Sequence, residues 1–214
     1  MTTKILTTIA ILTVLYSNKC FAQFKNLPLF LKVDFGSSNI KRETGKSISA
    51  LAFGIGIETF YKLKSLKKEK DILINPSFSY LKTGYDLTGG GTTRVNYLSF
   101  GLPFCYEISG VKTGNDIGVI VGLGPFLNVG LNGEFKNTGT SNIRAISFGN
   151  TATDNRKRTD AGIILKAAVR KNKLYMGLQY NIGTANEIPN ARISNGSYIH
   201  TRNFLFYSSY NIRK

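Results

Sequence analysis

The sequence predicts an all-β protein: a closed, antiparallel, up-and-down transmembrane β-barrel of about eight strands. Three observations lead there. Large apolar and small residues alternate in segment after segment, as Leu51, Phe53, Ile55 and Ile57 do against Ala50, Ala52, Gly54, Gly56 and Glu58. Such alternation marks a strand whose two faces meet different surroundings. The bulky face belongs outside, in lipid, because an eight-stranded barrel has an interior only just wide enough for its side chains. Glycine repeated on a solvated face would also weaken each strand with nothing gained. Finally, long polar links and short turns mostly take turns along the chain, which would sort them to opposite rims of such a barrel.

Taken in order, the chain begins with Met1 and Lys4, an apolar run over 5–16, then SNKCFAQ. This is the layout of a secretory signal peptide cleaved between Ala22 and Gln23, with Cys20 and Ala22 at positions −3 and −1. The run is well short of the roughly 20 residues a membrane helix needs. Cys20 as a lipoprotein attachment site is the weaker reading, since Asn18 and Lys19 stand where such sites want small residues. Residues 1–22 are therefore expected to be a signal peptide and 23–214 one outer-membrane barrel domain. Cleavage leaves Cys105 alone, so no intramolecular disulfide is expected. Its place in an alternating strand reads as a small inward-facing residue.

Strands are expected at 28–36, 49–61, 71–82, 94–108, 116–131, 160–170, 173–183 and 200–212. Polar loops fall at 37–48, 83–93, 132–159 and 184–199. Shorter links are 109–115 and the tight Lys171–Asn172 turn, with a longer basic link at 62–70. Large residues share one face in each later strand: Leu98, Phe100, Leu102 and Phe104; Val119, Val121 and Leu123; Ile163, Leu165 and Val169; Met176, Leu178 and Ile182. Lys32, Asp34, Glu58, Glu107, Asp160, Lys166 and Arg170 fall on the small-residue face. Two readings stand for them: pairing across the lumen, as buried charges require, or hydration near the rims. Tyr61, Tyr80, Tyr97, Tyr106, Tyr180 and Tyr210 are candidates for the two membrane interfaces.

The composition narrows function without fixing it. With 28 Lys and Arg against 12 Asp and Glu the formal charge is +16, the hydrophobic fraction is 42%, and mean hydropathy is −0.07. That balance favours anionic partners; nucleic acid is not credible for an exported chain with these strands. One histidine, His200, and one mature cysteine leave no basis for a metal site. Ser–His–Asp catalysis would have to combine His200 with Asp154, Asp160 or Ser197, and no second motif supports it. The glycines at 89–91 lack the Lys-Ser/Thr and the helix of a phosphate loop. No catalytic, cofactor-binding or metal-binding residues are expected, and no cofactor. The cluster NRKR at 155–158, with Arg144 upstream, has two readings: contacts to lipopolysaccharide phosphates at the outer rim, or a solvated loop.

Three stretches carry a family resemblance: YLSFGLPFCYEI (97–108), VGLGPFLNVGL (121–131) and TDAGIILKAAVRKNKLYMGLQYNIGTANEI (159–188). The pattern resembles the PorT-like outer-membrane β-barrel proteins of Bacteroidota, a resemblance that extends over about residues 24–214. Pro103 lies two positions later than in that pattern, and the chain ends Tyr210-Asn-Ile-Arg-Lys without a terminal aromatic. The resemblance implies location in the cell outer membrane and no specific activity. The role expected is structural or interactive and not enzymatic: membrane integrity, adhesion, or partnership with a secretion or envelope complex, with outer-membrane lipids as neighbours. Alternatives are a rim-site enzyme, a narrow pore, and a secreted soluble barrel binding an apolar ligand.

Overall fold

Alternating segments become strands that pair with their sequence neighbours, and the last pairs with the first. The computed structural model describes residues 27–42, 47–67, 70–87, 90–110, 117–137, 142–192 and 198–213; the expected signal peptide lies outside them. The strands are β1 (Phe30–Arg42), β2 (Ser47–Glu58), β3 (Tyr61–Lys67), β4 (Lys70–Ile74), β5 (Ser77–Leu87) and β6 (Gly91–Gly101). They continue as β7 (Phe104–Gly110), β8 (Ile117–Asn137), β9 (Ile143–Ala145), β10 (Thr159–Lys171), β11 (Leu174–Gly183) and β12 (Ile199–Asn211). A closed antiparallel ring runs β1–β2–β5–β6–β8–β10–β11–β12 and back to β1.

Among the described residues eleven of the twelve strands make eight passes, and β9 stands apart, paired with β8. β2 with β3, β4 with β5, and β6 with β7 are halves of single passes, and pairing register carries straight through each break. Glu58 faces Ser77 before the interruption and Tyr61 faces Ile74 after it; Ser77 faces Gly101, and Ile74 faces Phe104. The breaks fall beside Pro76 and Pro103, which have no N–H to give the ladder. Remaining donors bridge the seam: Thr59 N–H to Pro76 O at 3.1 Å, Asn75 N–H to Pro103 O at 2.9 Å and Leu102 N–H to Pro125 O at 3.0 Å.

Bulky residues do face outward. Leu51 is 65% exposed and Leu123 55%, whereas Ala52 and Ile120, on the opposite faces of the same strands, are wholly enclosed. Glycine on the inner wall makes room for larger groups opposite. A Cβ at Gly118 would stand 2.6 Å from the Glu107 carboxylate, and one at Gly122 would stand 2.6 Å from Cys105 Sγ. That space is not filled by small residues alone. Phe30, Phe60, Leu73, Ile120, Tyr175 and Tyr207 form an apolar plug at the end where the chain termini emerge, with Phe60 and Tyr175 stacked at 4.3 Å.

Several sequence expectations need correction. Most of 37–48 and 83–93 is strand, not loop: β1 runs on to Arg42, β2 starts at Ser47, β5 reaches Leu87 and β6 starts at Gly91. These extensions lack an apolar face because they project beyond the hydrocarbon, so period-two patterning has nothing to report there. Long and short links therefore alternate less clearly than expected. Most of the basic stretch 62–70 is strand and not loop: β3 reaches Lys67 and pairs antiparallel with β4, which starts at Lys70. Tyr97 is not at an interface; it is 1% exposed, inside the barrel. Tyr61, Tyr80 and Tyr210 do face outward. At the tight turn, Asn172 takes φ 52°, a left-handed conformation that Asn tolerates better than most residues.

Ile55→Lys or Leu123→Lys will place an ammonium group against acyl chains, at a cost of about 2–4 kcal/mol near mid-bilayer. The check is folding yield in membranes, read as the heat-modifiable band on gels; assembly equal to the parent's would refute an outward, lipid-facing band.

Candidate functional site

The bore is crossed by paired charges. Lys166, from β10, donates to Glu58 at 2.6 Å and to Asn75 at 2.7 Å, and Asn75 in turn donates to Thr59 O at 2.7 Å. Lys32 sits 2.9 Å from Asp34 and donates to Gln179 at 3.0 Å. Both ammonium groups lie near the Tyr207 ring, Lys166 at 4.1 Å from its centroid. Nearer the terminal end, Arg170 donates to Glu107 at 2.6 Å. All these groups are buried except Arg170, which is half-buried. Of the two readings open from the sequence, pairing across the lumen holds for Lys166 with Glu58 and Arg170 with Glu107, while Lys32 and Asp34 pair along one strand.

Above this layer Ala52, Leu81 and Leu205 close the bore with apolar contacts. Above them Asp160 accepts from Thr201 at 2.6 Å and from Asn128 at 3.0 Å. A second set of groups comes from the loops. Arg156 is drawn down into the mouth, pairs with Glu187 and lies beside the Tyr85 and Tyr97 rings, 5.8 and 6.0 Å from their centroids. Tyr97 OH also meets Glu187, at 3.3 Å. Sequence reasoning missed Glu187. Its one signal was being the sole acid in the polar stretch 184–199.

The mouth itself is a cup. Cross-strand register sets Tyr85 opposite Thr93, Thr93 opposite Phe135, and Phe135 opposite Arg144. Directly paired residues point to the same side of a sheet, so these four form one row facing the barrel axis. β9 continues the wall where β8 rises above β10. The resulting cavity has a volume of about 400 Å³, with Arg156 in its lining.

This geometry divides the predicted basic cluster. Arg156 is buried and is no solvated loop group, whereas Arg144, though in the row that lines the cup, is exposed; Arg158 is exposed and Lys157 half-buried. Outside the barrel a different set of cations follows the apolar band. Lys41, Lys82 and Arg202 are exposed and share the outward face with Phe35, Phe53 and Phe204.

The histidine constellation does not assemble. His200 Nδ1 lies 3.0 Å from Ala185 O and the ring stacks on Tyr198 at 5.3 Å. Asp160 is held inside the barrel, and strand alternation turns His200 outward while Thr201 points in. Ser197 lies outside the described residues. Asp154 instead staples its own loop: Thr151 donates to it through its hydroxyl at 2.7 Å and its backbone N–H at 2.8 Å, and Ser147 through its hydroxyl at 2.8 Å. These donors, the Thr151 hydroxyl foremost, hold its carboxyl below the usual carboxylate range. Among the described residues no three of His, Cys, Asp and Glu are grouped to hold a metal ion.

No protein-family model and no curated protein matches this chain. Among solved structures it resembles the outer membrane enzyme PagL, with a TM-score of 0.53 and 12% identity over 86% of this chain and 99% of that one. Neisserial surface protein A aligns at 0.47 and 10% identity, and Ail, the attachment invasion locus protein of Yersinia pestis, at 0.39 and 11%; each alignment covers 86% of this chain and 97% of the other. At such identities the likeness to PagL establishes the fold, a small outer-membrane-type β-barrel, and nothing about activity.

Lys166→Met will leave Glu58 buried without its counter-charge and destabilise the barrel by about 3–5 kcal/mol. The double variant with Glu58→Gln will recover most of that loss. Denaturant unfolding in detergent checks both. The Asp154 staple has a depressed folded pKa, so its contribution is present above the ordinary carboxylate value of about 4 and is lost as pH falls through the lower folded one. Limited proteolysis of 147–156 will accelerate on acidification, and Asp154→Asn will remove that pH dependence.

Proposed function

We propose that this chain is an integral outer-membrane protein of the PorT-like kind, exported by a cleaved signal peptide, with a structural or interactive role. The observation that carries the reading is the buried layer of ion pairs. Lys166 with Glu58 and Lys32 with Asp34 block the bore at one level, and the Phe30–Phe60–Tyr175 plug blocks it at another. A barrel filled in this way offers solutes no path, while its outer wall presents a continuous apolar band to lipid. With the termini on the periplasmic side, as in barrels of this architecture, the cup and the loops around it face the exterior.

Outer-membrane lipids are then its first neighbours. The outward belt of Lys41, Lys82 and Arg202 lies directly above the apolar band, at the level where lipopolysaccharide phosphates sit, and exposed Arg158 adds to it. Arginine suits such phosphates through its planar fork, lysine as a point charge. Exposed surfaces at the two rims leave room for an adhesive partner outside or an envelope-complex partner inside.

Fractionation will find the chain in the outer membrane, released by detergent and not by salt. Planar-bilayer recordings will show no steady conductance; a stable unitary current would overturn the sealed bore. Replacing Lys41, Lys82 and Arg202 together by Gln will lower co-purified lipopolysaccharide severalfold, and an unchanged amount would remove the phosphate belt from the account.

A further inference from the structure

We infer that the cup at the mouth of the barrel is a binding site for a small soluble organic anion, a carboxylate or phosphate carried on an aromatic or aliphatic body. The argument begins with volume. About 400 Å³ lies within the range of small-molecule sites, and barrel mouths are a common place for them. The lining is chemically one-sided: two guanidinium groups, Arg144 and Arg156, and no carboxylate.

The two arginines differ in a way that suits recognition. Arg156 is fixed. It is 5% exposed, its Nε is taken by Glu187, and the Tyr85 and Tyr97 rings flank its guanidinium plane. Its charge is largely answered by Glu187, so it supplies a rigid donor edge at the cup floor and not a bare cation. Arg144 is the opposite. It makes no ion pair and no side-chain hydrogen bond among the described residues, and its register opposite Phe135 aims it at the axis. An unanswered guanidinium facing a concave wall is a site for a carboxylate or phosphate held by two parallel N–H bonds.

The remaining wall explains why the anion should carry an apolar body. Tyr85, Phe135 and Ile146 give rings and an aliphatic face around the same cavity. Inorganic phosphate would meet the arginines and leave that wall wetted, whereas a neutral aromatic would leave Arg144 unanswered. Only a ligand with both parts satisfies both halves of the cup. The inference rests on the membrane-barrel reading for which medium fills the cup, namely the exterior, and commits to a free solute in place of a lipid headgroup.

The test uses the full chain in detergent micelles, with saturation-transfer NMR and calorimetric titration. The probes are phenyl phosphate, benzoate, inorganic phosphate and benzyl alcohol. Phenyl phosphate and benzoate will bind saturably, and the other two at least about tenfold more weakly. Arg144→Gln will weaken the anionic probes by about tenfold, and Arg144→Lys will fall between. Phe135→Ala will reduce affinity for phenyl phosphate and leave the weak affinity for inorganic phosphate unchanged. The heat-modifiable gel band verifies that each variant is folded. The assignment is overturned if neither organic anion binds saturably, if Arg144→Gln binds like the parent, or if benzyl alcohol binds equally well. It is also overturned if vesicles carrying lipopolysaccharide displace phenyl phosphate, which would make the ligand a lipid headgroup. None of these outcomes touches the membrane-barrel reading, which fails separately if the chain fractionates without detergent.

Discussion

In hydrocarbon no water is present to satisfy a peptide group, so every backbone N–H and C=O must find its partner within the protein. The rest of this structure follows from that demand. It is met where β1 and β12, the first and last strands, pair along the whole of β1 from Phe30 to Arg42. Closure removes both sheet edges from the lipid and creates an interior that is neither solvent nor membrane. Proline threatens the arrangement at Pro76 and Pro103, and the seam there survives because Thr59, Asn75 and Leu102 still reach carbonyls on the adjoining strands.

Once the ring is closed, its interior has to be filled, and this chain fills much of it with ions. A charge taken out of water is costly unless paired and hydrogen-bonded. Each buried ion here is drawn from a different pass than its partner, or is tied to one: Lys166 of β10 to Glu58 of β2, Lys32 of β1 to Gln179 of β11. Such pairs make poor stabilisers compared with packed hydrocarbon, but they fix register, because a shift of one residue turns each charge into the lipid. The glycines opposite complete the device. Gly118 leaves room for the Glu107–Arg170 pair and Gly122 for Cys105.

The barrel was legible in the sequence wherever a strand crosses lipid, since Leu51 to Ile57 and Val119 to Leu123 alternate under the strongest selection by environment that a strand meets. Beyond the hydrocarbon the signal vanished. Ser47 to Ser49 and Thr83 to Leu87 are strand, joined through a register shift between Ser49 and Phe53, yet no run of large apolar residues marks either segment, and they read as loop. The inward charges were legible as a set, though not as pairs, because partners such as Lys166 and Glu58 lie far apart in sequence and only closure brings them together. The cup was the least legible part. Tyr97 looked like an interface aromatic, Glu187 like an ordinary loop acid, and Arg156 like one of four basic or polar neighbours. Their convergence depends on how the loops fold back over the rim, which no local pattern encodes.

The β3–β4 hairpin extends past the closed ring, and β3 pairs only with β4 among the described residues. Among the described residues its other side has no strand partner. The irregularities between Lys62 and Lys64 and between Ser65 and Lys67 spoil its straightness, and exposed Lys62 and Lys64 coat it with positive charge. Bent, cationic borders of this kind repel their own likeness. Copies of the chain awaiting insertion can therefore crowd together without zippering into fibrils through this hairpin.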